Sequence, residues 1–176
     1  MEAGDGEVSR DTQITAVCLA ALALIILGAS TSATIAIAHG ASPMLRLPFK
    51  LLCHGIPHRC LTIFDTPMPI CARCVGIYCG FLAGLVLFVI VIKTADSRQQ
   101  TADLGPVPHP RLMSTVRYLL CIAVIPILVD GGTQAIGLRE STNPLRLATG
   151  LTVGAAFGLW VLVSIETRAR QRFAPS

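Results

Sequence analysis

The chain has 176 residues, of which 53% are hydrophobic and only 14% charged, and its formal net charge is +4. This composition, with a mean hydropathy of +0.68, excludes an ordinary soluble domain and is typical of a protein embedded in a bilayer. Nucleic-acid binding is not expected, because the basic residues are spread over the flanks of the apolar runs and few aromatic residues accompany them.

Four apolar runs are long enough to cross about 30 Å of hydrocarbon at about 1.5 Å per helical residue. They predict transmembrane helices at about 14–38, 75–93, 115–137 and 145–166. We therefore expect an all-α membrane protein, a four-transmembrane-helix bundle with a Cys/His-containing loop between helices 1 and 2. The expected organisation is a disordered polar N-terminus, a single transmembrane domain and a basic C-terminal tail, over residues 1–13, 14–167 and 168–176.

Two of the predicted helices carry a glycine at every fourth position, which forms a ridge of small residues along one helix face. Such a ridge lets another helix approach closely. We expect the two ridges to pack against helices of this chain or of partner proteins. The ridge glycines are Gly76, Gly80 and Gly84 in helix 2, and Gly150, Gly154 and Gly158 in helix 4.

The loop between helices 1 and 2 concentrates residue types that bind metals. Residues 71–74 form a C-x-x-C motif at the start of helix 2, where two thiolates can chelate one tetrahedral ion. A cysteine and two histidines, His54 and His58, precede the motif and could complete a site for zinc or another thiophilic divalent metal. A redox-active disulfide and a purely structural disulfide are the alternatives. The expected metal ligands are Cys53, His54, Cys71 and Cys74.

A second group of polar residues is predicted at the same membrane face. Asp130 lies inside an apolar run, so its carboxylate should face the bundle interior and pair with Arg73 or Arg146. Gln134 shares its helix face, and Asn143 is expected to cap helix 4. Arginines near helix ends suit an anionic small molecule or a lipid headgroup that carries phosphate or carboxylate. The pocket candidates are Arg73, Asp130, Gln134, Arg139, Asn143 and Arg146.

The distribution of lysine and arginine predicts the orientation in the membrane. Four spans place both termini and the 93–117 loop on one side with eight basic residues, and the cysteine loop and the 138–146 turn on the other with six. The positive-inside rule then predicts a multi-pass protein of the cytoplasmic membrane with cytoplasmic termini. The Cys/His loop would lie on the extracytoplasmic side.

Two blocks of the sequence are similar to a known family. The first is CHGIPHRC followed by MPICARCVGIYCGF, and the second is DGGTQAIGLRESTNPLRLATG. The chain thereby resembles small bacterial and archaeal membrane proteins grouped as domain of unknown function 2085, a family that implies no activity. The sequence departs from the family pattern at Gly55, where glutamine is usual, and at Cys60, where serine is usual. The family's polar positions fall on Cys53, His54, Arg59, Cys71, Arg73, Cys74, Asp130, Gln134, Arg139, Ser141, Asn143 and Arg146.

Three functions are consistent with these features, and whether the protein is an enzyme stays open. The first is a metal-binding membrane protein with a polar pocket beside the metal. The second is a membrane thiol-disulfide oxidoreductase linked to quinone, because the four-helix plan with a C-x-x-C motif resembles such enzymes, although the turn between helices 3 and 4 has no second cysteine pair. The third is a structural or assembly subunit that binds other membrane helices through its glycine ridges.

Overall fold

The computed structural model describes residues 8–102 and 109–173 of the chain. Within these ranges, four helices are long and apolar enough to cross a membrane. This confirms the predicted four-helix membrane architecture with a cysteine cluster between the first two helices. The helices are α1 (Arg10–Ala38), α2 (Ala72–Ala102), α3 (His109–Ala135) and α4 (Asn143–Phe173).

All four helices extend beyond the predicted spans at one end or at both, because hydropathy reports only the part of a helix that matches the hydrocarbon core. The first helix begins at Arg10, so α1 includes residues 10–13 of the predicted polar N-terminus. The last helix continues through Phe173, into the segment predicted to be a tail. The remaining parts of these two terminal predictions, residues 1–7 and 174–176, lie outside the described residues.

The start of α1 is fixed to the end of α4. The Ser9 hydroxyl accepts a hydrogen bond from the Thr12 N–H at 3.3 Å and thereby caps α1. The Ser9 N–H and hydroxyl donate to the Glu166 carboxylate at 3.1 and 2.9 Å. The helix ends at this face of the bundle are therefore joined by polar contacts, while the thiol-bearing loop lies at the opposite face.

α2 and α4 run parallel and pack along their glycine ridges. An added Cβ at Gly80 would lie 2.1 Å from the carbonyl oxygen of Leu151, and one at Gly154 would lie 2.2 Å from that of Ile77. At all six ridge glycines this distance to a main-chain oxygen of the opposite helix is 2.1–2.6 Å. The predicted tight packing is confirmed, and it occurs inside the chain. The ridges are therefore covered by each other and offer no free surface to a helix of another protein.

The connection between α1 and α2 contains a β-hairpin that the sequence analysis did not predict. Strand β1 (Cys60–Ile63) pairs antiparallel with β2 (Thr66–Cys71). Both turn residues, Phe64 and Asp65, have positive φ angles of 49° and 56°. Such a turn matches the twist of the strands, but it is usually built from glycine and asparagine, so the sequence gives no clear hairpin signal here.

A small hydrophobic core holds the hairpin against the bundle. Met68 and Ile70 of β2 are buried together with Phe49, which belongs to a 3₁₀-helical segment at Pro43–Leu51. Leu27 and other side chains of α1 and α2 pack around them. Because β2 leads directly into α2, this core fixes the position of the C-x-x-C motif at the membrane face.

A Schellman motif ends α3 and reverses the chain toward α4. Gly137 adopts a φ of +72°, and its N–H donates to the Gln134 carbonyl at 3.2 Å. The next N–H, that of Leu138, donates to the Thr133 carbonyl at 3.0 Å. This ending places Gln134 in the last turn of α3, close to the start of α4.

The outer surfaces of the helices are apolar. Val17, Ile25 and Leu128 are between 65% and 68% exposed within the chain. An apolar surface of this extent is expected only where lipid replaces water as the solvent. The structure is therefore that of a membrane protein whose outer helix faces contact the bilayer.

Candidate metal centre and arginine cavity

Three cysteine thiols meet where α2 begins. Cys71 ends β2, Cys74 lies in the first turn of α2, and Cys53 follows the 3₁₀-helical segment. Their Sγ atoms all lie within 4.8 Å of one another, and those of Cys71 and Cys74 are 3.5 Å apart. Zinc–sulfur bonds of about 2.3 Å separate tetrahedral ligands by about 3.8 Å. The spacing therefore fits three ligands of one tetrahedral metal ion, and all seven cysteines of the chain are free thiols.

His54 is not part of this group. Among the described residues, the set of ligand atoms within 4.8 Å of one another contains only the three cysteines. The His54 side chain is exposed, although it lines the same cavity as the thiols. His58 is exposed as well. Of the four predicted ligands, the structure thus brings together three sulfurs and leaves the histidine at the cavity wall.

Hydrogen bonding makes the Cys71 thiol unusually acidic. Its pKa is lowered from 9.0 to about 5, mainly because the thiolate accepts a hydrogen bond from the Cys74 side chain. Main-chain N–H groups and Cys53 lower it further, while burial acts in the opposite direction. The Cys71 sulfur is therefore a thiolate at neutral pH and is chemically ready to bind a cation.

Cys60 lies directly opposite Cys71 across the hairpin but has a different character. It is 2% exposed, and its thiol donates a hydrogen bond to the Ile56 carbonyl at 3.2 Å. Burial raises the pKa of the Cys60 thiol to about 11, with the nearby Cys71 and Cys53 adding to the effect. Cys60 is therefore a neutral, packed thiol and not a fourth ligand of the group.

An ion pair joins α2 to α3 beside the thiols. The Arg73 guanidinium donates to the Asp130 carboxylate, which is buried with 7% exposure. The same carboxylate oxygen accepts a hydrogen bond from Gln134 Nε2 at 3.1 Å. A buried carboxylate in a membrane span is costly unless it is paired, so this contact fixes the relative position of the two helices. The predicted pairing of Asp130 with an arginine is confirmed, and the partner is Arg73.

Arg146 continues the polar network toward the hairpin. It is only 5% exposed, and it donates through Nη1 to Asn143 Oδ1 at 3.0 Å and through Nη2 to Gln134 Oε1 at 3.2 Å. Asn143 Nδ2 donates in turn to the Cys60 carbonyl at 3.1 Å. Asn143 is the first residue of α4, and its side chain links the hairpin to Arg146, which differs from the predicted capping role.

The thiols and the arginines line one cavity of about 490 Å³ at the membrane face. Among the described residues, its polar lining contains three arginines and no carboxylate, and Asp130, which pairs with Arg73, is not part of the lining. Of the predicted pocket residues, Arg139 alone is exposed and lies away from the cavity and from the network. The lining residues are Leu52, Cys53, His54, Gly55, Ile56, Arg59, Cys71, Arg73, Cys74, Gln134 and Arg146.

Three contributors to the site were absent from the predicted pocket set. Arg59 lines the cavity, and Ser141 is buried with 6% exposure and lies against the Asp130 carboxylate. Only the family resemblance pointed to these two positions. The third contributor is the main-chain carbonyl of Cys60, which accepts from Asn143. No sequence signal could identify it, because every residue carries a carbonyl group.

Comparison with known proteins places this site within a family. The family described as "Predicted membrane protein (DUF2085)" matches residues 53–160. The chain belongs to this family. The DUF2085 match includes all three clustered thiols and all three arginines of the cavity. The resemblance given by the two sequence blocks is thereby confirmed.

Two archaeal relatives share much of this region. An uncharacterised protein of Methanocaldococcus jannaschii is 39% identical over 114 residues, which are 65% of this chain and 64% of that protein. An uncharacterised protein of Methanothermobacter thermautotrophicus is 37% identical over 123 residues, 69% of this chain and 93% of that protein. The chain thus spans less than two thirds of the first relative's length. No solved structure matches the chain.

Proposed function

We propose that this DUF2085 protein is an integral membrane metalloprotein in which Cys53, Cys71 and Cys74 hold zinc or another thiophilic divalent ion. The observation that carries the proposal is the convergence of three free thiols within 4.8 Å of one another. Soft thiolate ligands at tetrahedral spacing favour zinc over magnesium or calcium. A three-sulfur set leaves one ligand position, which His54 or a ligand in the cavity could occupy.

The cavity beside the thiols supports a second part of the proposal, the binding of an anion. Asp130 neutralises Arg73, but the side-chain partners of the buried Arg146 are the neutral oxygens of Asn143 and Gln134. Guanidinium groups present paired donors that match phosphate and carboxylate. We propose that an anionic small molecule or a lipid headgroup with such a group binds here.

Metal analysis of the purified protein tests the first part. We expect about one zinc per chain after purification without chelators, and loss of the metal in a Cys71→Ser/Cys74→Ser variant. The matched control is Cys18→Ser/Cys121→Ser, which removes two exposed thiols of α1 and α3 and should retain the metal. Absence of metal from the unmodified protein, even after incubation with zinc under reducing conditions, would overturn the proposal.

The 3.5 Å separation of the Cys71 and Cys74 sulfurs also favours one alternative, a thiol-disulfide oxidoreductase. In that function the two thiols would form a disulfide, passing two electrons and two protons to a quinone. A second cysteine pair to exchange with is missing from the turn at residues 136–142. Trapping of thiols with a maleimide in intact cells separates the two functions, since the oxidoreductase requires a substantial disulfide fraction and the metalloprotein requires metal-protected thiols.

We also propose that the protein lies in the cytoplasmic membrane with cytoplasmic termini. Arg59, Arg73 and Arg146 line the cavity and are not free to act as topological anchors. Subtracting these three from the six basic residues of the thiol side leaves three, against eight on the side of the termini. A Ser42→Cys reporter should then react with a membrane-impermeant maleimide in intact cells, whereas Gln13→Cys should react only after lysis. The reverse labelling pattern would show that the termini lie outside the cell and would overturn the proposed orientation.

A further inference from the structure

α3 and α4 enclose a second cavity, of about 480 Å³, at the end of the bundle away from the thiols. From Arg146 in the thiol-side network to Arg168 at this cavity, α4 rises by about 33 Å at about 1.5 Å per residue. This distance is comparable to the thickness of the hydrocarbon core, so the two cavities lie at opposite membrane faces. The second cavity is lined by Met113, Ser114, Arg117, Trp160, Ser164, Thr167, Arg168 and Gln171.

The α4 wall of this cavity changes in character along the helix. Arg168 is at the outer end, Ser164 and Trp160 follow one turn apart, and Phe157 continues the same helix face toward the membrane centre. The Phe157 ring lies 5.9 Å from the Trp160 ring and is 44% exposed. Over about 16 Å of helix, the side chains along this wall therefore change from a cation to a hydroxyl group and then to aromatic rings, where the length follows from the helical rise.

The α3 wall supplies a second cation. Arg117 is exposed and lines the cavity one turn inward of Met113, and the described lining residues include no carboxylate. The Ser164 hydroxyl donates to the Trp160 carbonyl at 2.7 Å and lies 3.8 Å from the Met113 sulfur, so α3 and α4 are in contact at this level of the cavity. Two guanidinium groups in one cavity with aromatic side chains match a phosphate group attached to an apolar chain.

We propose that this cleft binds an anionic phospholipid of the surrounding bilayer. The lipid phosphate contacts Arg117 and Arg168, and the upper part of one acyl chain lies against Trp160 and Phe157. A basic pocket between transmembrane helices is a setting in which anionic headgroups bind, and tryptophan favours the same depth in the membrane. A soluble phosphate would use the arginines but would leave the aromatic half of the cleft without a partner.

Native mass spectrometry of the full-length protein released from detergent tests this site. We expect retained phosphatidylglycerol and much weaker retention of phosphatidylcholine, which carries no net charge. An arginine near the membrane surface contributes about a fivefold gain in affinity for anionic lipid, so Arg117→Gln/Arg168→Gln should weaken phosphatidylglycerol binding by about 30-fold. Lysine at both positions should retain most of the binding, because the charge is preserved.

The matched control is Arg10→Gln, which removes an exposed arginine at the same face of the bundle, at the start of α1. Its phosphatidylglycerol binding should be unchanged. A loss of lipid binding equal to that of the Arg117→Gln/Arg168→Gln variant would show that the lipid is attracted by the general surface charge and not by this site. Equal retention of phosphatidylcholine by the unmodified protein would overturn the proposal without any variant. Glycerol phosphate has the phosphate but no acyl chain. If it binds as tightly as phosphatidylglycerol, the arginines bind a soluble anion and the phospholipid proposal is overturned.

Discussion

Replacement of Gly80 by alanine is the sharpest test of the α2–α4 contact. The added Cβ would lie 2.1 Å from the Leu151 carbonyl oxygen, whereas ordinary contact begins at 3.4 Å. The two helices must therefore separate locally by about 1.3 Å, because both clashing groups belong to helical main chain and cannot rotate away. Overpacking of this kind costs about 1–3 kcal/mol, and a rigid main-chain contact belongs at the upper end of that range.

Thermal unfolding in detergent micelles measures the effect. A loss of about 3 kcal/mol corresponds to a melting temperature lower by about 6–12 °C for a chain of this size. The matched control is Gly28→Ala in α1, where an added Cβ meets nothing within 4 Å. That change should leave stability equal or slightly higher, since alanine has the greater helix propensity. Equal melting temperatures for the Gly80 and Gly28 variants would refute the close packing of the ridges.

Three further predictions concern the site. Asp130→Asn should cost up to about 3 kcal/mol of stability, because the half-buried Arg73 loses its carboxylate partner, and adding Arg73→Gln should recover part of the loss in thermal unfolding. In the metal-free, reduced protein, the alkylation rate of Cys71 should be constant from about pH 6 to 8 and fall below about pH 5, because its pKa is lowered to about 5; Cys74→Ala should move this fall to higher pH. Arg146→Gln should weaken phosphate binding in calorimetry by at least about tenfold, the contribution of a charge-assisted hydrogen bond.

The chain provides a control for each of these changes. Glu140 and Arg139 are exposed residues in the turn before α4, so Glu140→Gln should leave stability unchanged and Arg139→Gln should leave phosphate binding unchanged. Cys60 is buried, with a pKa raised to about 11, and should not react over the same pH range. If the Arg139 variant binds phosphate as weakly as the Arg146 variant does, phosphate binding depends on the net charge of the protein and not on the cavity.

The membrane architecture could be predicted because its physical causes are visible in single residues and simple periods. Spans follow from uninterrupted apolar runs, and the α2–α4 contact follows from glycines such as Gly80 and Gly154 at every fourth position. The pairing of Asp130 was predictable for a related reason, since an unpaired carboxylate in a membrane span is too costly to persist.

The details of the thiol site could not be predicted because they depend on three-dimensional placement. Cys53 and His54 are adjacent in sequence, yet only the cysteine reaches the other two thiols. Its position follows from a hairpin whose turn, at Phe64 and Asp65, lacks the usual residue types. Asn143 next to a helix start suggested a cap, but its side chain contacts the Cys60 carbonyl from the neighbouring hairpin instead.

The charges of the site predict how metal binding and anion binding affect each other. Three arginines line the cavity, and Asp130 neutralises one of them. Three thiolates that hold a divalent ion carry a net charge of −1. The loaded cavity then keeps positive charge for an anion. Without metal, the Cys71 thiolate, which accepts a hydrogen bond from the Cys74 thiol, already carries one negative charge. This charge equals that of the metal-loaded group, so removal of the metal should change the phosphate affinity little, and phosphate should change metal retention by the same small factor, because linkage is reciprocal. Calorimetry with phosphate on the metal-loaded and metal-free protein measures this factor, and a difference in affinity of about tenfold or more would refute this charge balance.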